Sequence, residues 1–315
     1  MARNNLGLPY KGSKNTIANQ IVAQFPRAHS FLDACCGGGA VLEAAYLSGK
    51  FDRVEGIDID EGIITLLNAV FRDFGKIDYE HKQLVTAERY KEAVQNRATL
   101  EDAVDRFIAS FGFNGYDYQW GEKRRHLKYL AHQSMTLPTL DERRTAFHGF
   151  IRDLIKSGTV EGDRWSIGLS EINNLAHTEQ ATNLCRLQKV ERTMRDASKN
   201  SGTELVISNK SMFDIDYDPY DVIYFDPPYS NTKGYDKKKF DFGKFNAMLE
   251  DLSKRGKHVF LSEYKCEIPC FTEIFSVEKQ MSQCDHLTKI VTERLFYGGS
   301  KEQYEDLMKH SQTQN

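Results

Sequence analysis

Residues Ser30-Phe-Leu-Asp-Ala-Cys-Cys-Gly-Gly-Gly-Ala-Val-Leu-Glu43 constrain the fold more than any other stretch of the chain. The apolar run reads as a strand, the glycines as a loop and Ala40 onward as a helix start, so that backbone N–H groups approach a ligand at a helix N-terminus. Such a unit belongs in an α/β sheet, where ligands bind outside the carboxyl ends of the strands. The dinucleotide fingerprint is incomplete, because Leu42 stands where a third glycine would follow Gly37 and Gly39. S-adenosylmethionine, which has no pyrophosphate, is therefore the expected cofactor. A second apolar run, Arg53 to Ile57, leads into Asp58, 19 residues after Gly39, near the offset of about 20 at which an acid meets a ribose in this architecture. Asp58 is read as the ribose ligand and Asp60 as the cap of the following helix. Asp33, at the end of the first strand, is a further candidate, although acids there also serve as ordinary caps.

The second informative stretch is Val222-Ile-Tyr-Phe-Asp-Pro-Pro-Tyr-Ser230. Val222 to Phe225 predict a short buried strand, and the prolines end its ladder, leaving Asp226 and the Pro227 carbonyl at the carboxyl end. Two acceptors there suit the two hydrogens of a planar amine, whose lone pair must be drawn out of the ring before it can attack a sulfonium methyl. Tyr229 offers a face on which an unstacked base can lie. Asp226, Pro227 and Tyr229 are the expected catalytic residues, with Asp226 also near the cofactor. The alternative for an isolated motif of this kind is a rigid turn with a capping acid.

At 315 residues and 40% apolar composition the chain can bury one large core or two modest ones. No apolar run reaches the roughly 20 residues of a membrane span and the start lacks a signal peptide's apolar stretch, so a cytoplasmic protein without a membrane partner is expected. A net charge of −3 argues against coating nucleic acid by bulk charge, but two local patches mix cations with aromatic residues. They are Gly121 to Lys128, with Arg124, Arg125 and Lys128, and Lys233 to Lys239, with Lys233 and Tyr235. Charge runs are also commonly solvated faces. The six cysteines suggest reduced thiols; Cys266, Cys270, Cys284 and His286 match no familiar zinc spacing, and no metal is expected.

Leu8-Pro-Tyr-Lys-Gly-Ser-Lys14 precedes a helical pattern at Ile17, Ile21, Val22 and Phe25. Lys14 beside a glycine turn suits a cofactor carboxylate, and Tyr10 suits its cover. Helical spacing also marks Val94, Leu100, Val104, Phe107 and Ile108, and then Leu184, Leu187, Val190 and Met194. The expected organisation is a catalytic domain from residues 1–84 and 205–315, interrupted by a mainly helical target-recognition domain at 85–204.

In this order the pieces resemble the Dam-like (D12 class) DNA adenine methyltransferases. Leu8 to Lys14 resembles that family's N-terminal cofactor motif, Phe31 to Val41 its glycine loop, Gly56 to Asp60 its ribose motif and Asp226 to Tyr229 its catalytic motif. Ser211 and Met212 stand where the family meets the cofactor's adenine, with methionine replacing the usual aromatic ring. Val259 to Tyr264 and Arg294 to Tyr297 resemble its sheet-completing strands. Ser110-Phe-Gly-Phe-Asn-Gly-Tyr-Asp-Tyr-Gln-Trp120 resembles the start of its recognition region, which gives Phe113, Asn114 and Tyr118 as DNA contacts. Beyond Trp120 the likeness fades: an Asn-Val-Pro-Phe-Gly stretch is missing, and Pro9 replaces a basic residue found in some GATC-specific relatives, which leaves the target sequence open.

The resemblance implies a Rossmann-like S-adenosylmethionine-dependent methyltransferase sheet and methyl transfer to N6 of a flipped adenine in double-stranded DNA, with S-adenosylhomocysteine as product. It places Tyr10, Lys14, Asp33, Cys35, Gly37, Gly39, Asp58, Ser211, Met212 and Asp226 at the cofactor, and a cognate restriction endonuclease is a partner consistent with it. The alternatives are methylation of an RNA adenine or a cytosine amine, and a DNA-binding module without catalysis.

Overall fold

The computed structural model describes residues 6–79, 84–96, 99–156, 179–228, 240–282 and 288–312. By contact the chain divides into two compact units, Met1–Asn68 with Thr193–Asn315, and Ala69–Arg192.

The first unit is built on a seven-stranded sheet. Its strands are β1 (Ala28–Asp33), β2 (Phe51–Asp58), β3 (Glu204–Asn209), β4 (Val222–Phe225), β5 (His258–Glu263), β6 (Phe271–Ser282) and β7 (Thr288–Gly298). They lie in the order β3-β2-β1-β4-β5-β7-β6. The pairs from β3 through β5 are parallel, whereas β7 runs antiparallel to both β5 and β6. The sheet is thus Rossmann-like and mostly parallel, as expected. Because β1 pairs with β2 on one side and β4 on the other, the connections diverge between β1 and β4, and a crevice opens at their carboxyl ends.

Period-two alternation explains why these segments form buried strands. Leu32, Ile223, Phe225, Val259 and Leu261 point to one face, where they pack with Phe245, Leu249 and Leu252 of a helix at Phe242–Lys254. Their neighbours Phe31, Tyr224 and Phe260 point to the other, where Phe25 meets all three rings at centroid distances of 5.5, 5.7 and 4.7 Å. Phe25 follows the short helix α1 (Ala18–Ala23) and is fully buried, so truncating it to Ala costs about 3–5 kcal/mol.

Helix α2 (Ala40–Ser48) follows β1 through the glycine loop, and α3 (Glu61–Phe71) follows β2. Asp60 caps α3, accepting from the Gly62 and Ile63 N–H groups at 3.0 and 3.4 Å.

The second unit is helical. It contains α4 (Ala87–Asn96), α5 (Leu100–Ala109), α6 (Glu122–Thr136), α7 (Leu140–Lys156) and most of α8 (Glu179–Ser198). Thr99 caps α5 by accepting from the Asp102 N–H. Leu127, Ala131, Phe150, Ile151 and Leu154 close α6 against α7 as a small separate core. Among the described residues no helix is long and apolar enough to cross a membrane.

Candidate active site

The glycine loop is held by backbone and side-chain bonds together with the conformational freedom of its glycines. Gly39 adopts φ 74° at the start of α2, a left-handed conformation that costs glycine little. The Leu8 N–H donates to the Gly38 carbonyl at 2.7 Å, and a Cβ on Gly38 would lie 2.2 Å from the Leu8 oxygen. The N-terminal segment therefore lies directly on the loop. Glu43 of α2 accepts from the Gly7 N–H, a second tie on the same segment. Tyr10 covers Gly37, where a Cβ would meet its ring at 3.0 Å.

Asp58 leaves the end of β2 and braces this loop. Its carboxylate accepts from the Gly37 N–H and from the Asp60 N–H, each at 2.9 Å. A carboxylate has about four acceptor positions, so acceptor capacity remains for a hydroxyl donor such as that of a ribose. Burial raises the Asp58 pKa, against the opposing pull of the Asp60 and Gly37 N–H groups. Ile59 stands 76% exposed beside it.

On the β3 side, Met212 brings its sulfur to 3.9 Å from Cys35, and its carbonyl accepts from the Tyr217 hydroxyl at 2.6 Å. The Ser211 hydroxyl accepts from the Phe213 N–H at 3.1 Å. Ser211 and Met212 are thus carried to the glycine loop by a turn that their own polar atoms close.

Asp226 follows β4 directly, at the divergence of the sheet. Both of its oxygens accept from Lys14 Nζ at 2.7 Å, and Lys14 also donates to the Gly12 carbonyl at 3.1 Å. Lys14 is 3% exposed and Asp226 18% exposed. The structure therefore sets Lys14 on the carboxylate of the proline motif, whereas the sequence reading gave it to a cofactor carboxylate. Glu293 of β7 lies 4.0 Å from the same ammonium.

Asp33 is fully buried at the end of β1, and its Oδ1 finds no hydrogen-bond partner among the described residues. Burial raises its pKa well above its ordinary value, and the neighbouring Asp226 and Asp58 charges push the same way against the Cys35 N–H and Lys14. Burial likewise raises the Cys35 thiol. An orphaned buried carboxyl beside two further carboxylates fits a cationic ligand and would repel an anionic one. Among the described residues no group of three or more His, Cys, Asp or Glu is placed to hold a metal ion.

The aromatic-Asn-Gly turn of the second unit closes between Ser110 and Tyr118. Asn114 is internal to it, accepting from the Tyr116 and Asp117 N–H groups at 2.9 Å and donating to the Asp117 carboxylate at 2.8 Å. Phe113 takes φ 55°, a left-handed value unusual outside glycine. Its ring packs on Phe107 at 5.3 Å and under the Arg186 guanidinium at 5.9 Å. The aromatic side chains of the turn that stand outward are Phe111 and Tyr116, 51% and 65% exposed. Tyr118 donates to the Val85 carbonyl at 2.8 Å and lies under Arg125.

Lys128 is 5% exposed, pairs with Glu179 at 3.2 Å and lies over Trp120. Its charge is taken up inside the unit, while Arg125 is exposed. Tyr229, Lys233 and Tyr235 lie outside the described residues, as does the side chain of Arg124.

No curated protein matches the chain. Among solved structures the chain aligns with that titled "SMU.472, a putative methyltransferase complexed with SAH", at 8% identity and a TM-score of 0.19. The alignment covers 55% of this chain and 56% of that one, so the chain spans about half of that protein's length. At that score the likeness carries no argument. The family comparison bears out the resemblance read from the sequence: residues 10–127, which carry Tyr10, Lys14, the glycine loop, Asp58 and the Phe113-Asn114 turn, match the model of the D12 class N6 adenine-specific DNA methyltransferase family.

Proposed function

We propose that the protein transfers a methyl group from S-adenosylmethionine to the exocyclic N6 amine of an adenine flipped out of double-stranded DNA, leaving S-adenosylhomocysteine. The observation that carries this reading is the meeting of Asp226, the glycine loop and the orphaned Asp33 carboxyl at the carboxyl ends of β1 and β4.

In this reading Asp58 takes the ribose hydroxyls, Ile59 and Met212 cover the cofactor's adenine, and Asp33 faces its cationic portion. The cofactor supplies an electrophilic methyl group. Asp226 and the Pro227 carbonyl accept the two amine hydrogens of the target base, which draws the nitrogen lone pair out of conjugation. As the nitrogen becomes positive, the Asp226 carboxylate stabilises it and is the nearest acceptor for the departing proton. Tyr229 stacks on the base. The turn of the second unit meets DNA through Phe111 and Tyr116, which its internal bonds leave outward, and Arg125 contacts phosphate. The cysteines Cys35, Cys36, Cys185, Cys266 and Cys270 are free, which accords with a reducing, cytoplasmic setting. A restriction endonuclease sharing the target is the corresponding partner.

Transfer of radiolabelled methyl from S-adenosylmethionine into duplex DNA, single-stranded DNA and RNA tests the proposal. Label in adenine of duplex DNA, lost in Asp226→Ala with cofactor binding retained, supports it. Label confined to RNA or to cytosine overturns the substrate, and cofactor binding without any transfer points to a binding module.

A further inference from the structure

We propose that Glu293 is a positioning residue for methyl transfer: it receives the Lys14 ammonium when Asp226 turns to the target amine. This rests on the function proposed above. In the structure all three Lys14 donors are engaged, two on the Asp226 oxygens at 2.7 Å and one on the Gly12 carbonyl at 3.1 Å. A full positive charge at that distance cancels the negative charge Asp226 must offer to an amine that is becoming positive. The resting pair holds Asp226 in place and blunts it.

Lys14 is 3% exposed, so water does not replace Asp226 as its partner. It needs another anion within reach of its own side chain. Glu293 meets that need: its carboxylate lies 4.0 Å from Nζ on the antiparallel strand β7, and its side chain is 8% exposed. A shift of the ammonium by about an ångström lengthens one contact and shortens the other to ordinary ion-pair distance. Among these three groups, two carboxylates sharing one ammonium leave one negative charge in excess. With Lys14 on Asp226 that charge lies on Glu293; with Lys14 on Glu293 it lies on Asp226.

The test compares Glu293→Gln and Glu293→Asp with the parent protein in single-turnover methyl transfer, with DNA and cofactor dissociation constants and thermal melting measured on each. Gln keeps the shape and removes the charge; Asp keeps the charge and shortens the reach. The expected result is a loss of about tenfold or more in the transfer rate of the Gln variant, with both dissociation constants within about threefold of the parent, and recovery of most of the rate by Asp. A packing role would favour Gln over Asp. A Gln variant that transfers at the parent rate, or faster than Asp, or whose loss lies in binding or melting, overturns the role of Glu293 while the parent's activity leaves the proposed function standing. A parent that transfers no methyl group overturns the function itself and this inference with it.

Discussion

Lys14 and Asp226 lie 212 positions apart in the chain, yet the Lys14 ammonium contacts both oxygens of the Asp226 carboxylate at 2.7 Å. The contact fastens the N-terminal segment to the end of β4 and joins two motifs that local sequence treats separately. Replacing Asp226 by Asn keeps the shape but removes the charge on which both partners depend. We expect the transfer rate to fall by about 10²-fold or more, with cofactor affinity by calorimetry close to the parent value. A rate within about threefold of the parent contradicts the catalytic role.

Asp58 serves two tasks in the structure, bracing Gly37 and offering its remaining acceptors to a ligand. Asp58→Ala loses both, and hydrogen bonds to a charged group contribute about 1.5–3 kcal/mol each. Cofactor affinity should fall by about tenfold or more in calorimetry, and unchanged affinity would remove the ribose assignment.

Gly38 is constrained by space. A Cβ there would sit 2.2 Å from the Leu8 carbonyl oxygen and 2.9 Å from the Tyr10 Cβ. Gly38→Ala should push the N-terminal segment off the loop, costing about 1–3 kcal/mol in thermal or urea denaturation and weakening cofactor binding in parallel. A fully stable variant would show that the segment is not fixed there.

Glu43 gives a pH-dependent test. Burial raises its pKa from 4.5 to about 7, against the pull of the Gly7 N–H. The folded protein therefore keeps a proton that the unfolded chain loses between about pH 4.5 and 7, and this group's contribution makes stability fall as pH rises through that window, by a total of about 3 kcal/mol. Glu43→Gln can still accept from Gly7 but does not ionise. The difference in unfolding free energy between Glu43→Gln and the parent should grow from pH 5 to pH 8 in favour of Gln; a pH-independent difference contradicts the assignment.

The turn from Ser110 to Tyr118 separates stability from binding. Phe113→Ala removes a ring packed on Phe107 and should lower the melting temperature. Tyr116→Ala removes an exposed ring and should leave melting unchanged while weakening duplex binding by about 1–3 kcal/mol in fluorescence anisotropy, the range for one stacked base. Equal DNA affinity of the Tyr116 variant and the parent would take Tyr116 out of the interface.

What the sequence made legible was local. The strand, glycine loop and helix from Phe31 to Val41, the β2 run into Asp58, and the β4 run into Asp226 are contiguous patterns whose periodicity and end residues carry their own signal. Strand β6 was not legible, because a register shift between Glu273 and Phe275 breaks the alternation that marks a strand. The destinations of charges were hidden for a different reason. Lys128 reads as one cation in a basic run, but its ammonium pairs with Glu179, 51 residues later. Asn114 reads as a contact for DNA, while its side chain is spent holding Tyr116 and Asp117. Glu293 carries no pattern at all until β7 is set beside β5 and Lys14 is brought in from the other end of the chain.

The most direct test of the central claim is to incubate the purified protein and S-adenosylmethionine with a plasmid carrying all short sequence contexts and read modified bases by single-molecule sequencing. The account predicts N6-methyladenine at one recurring motif, absent with Asp226→Ala. Unmodified adenine throughout, from a protein that binds S-adenosylmethionine, would contradict it.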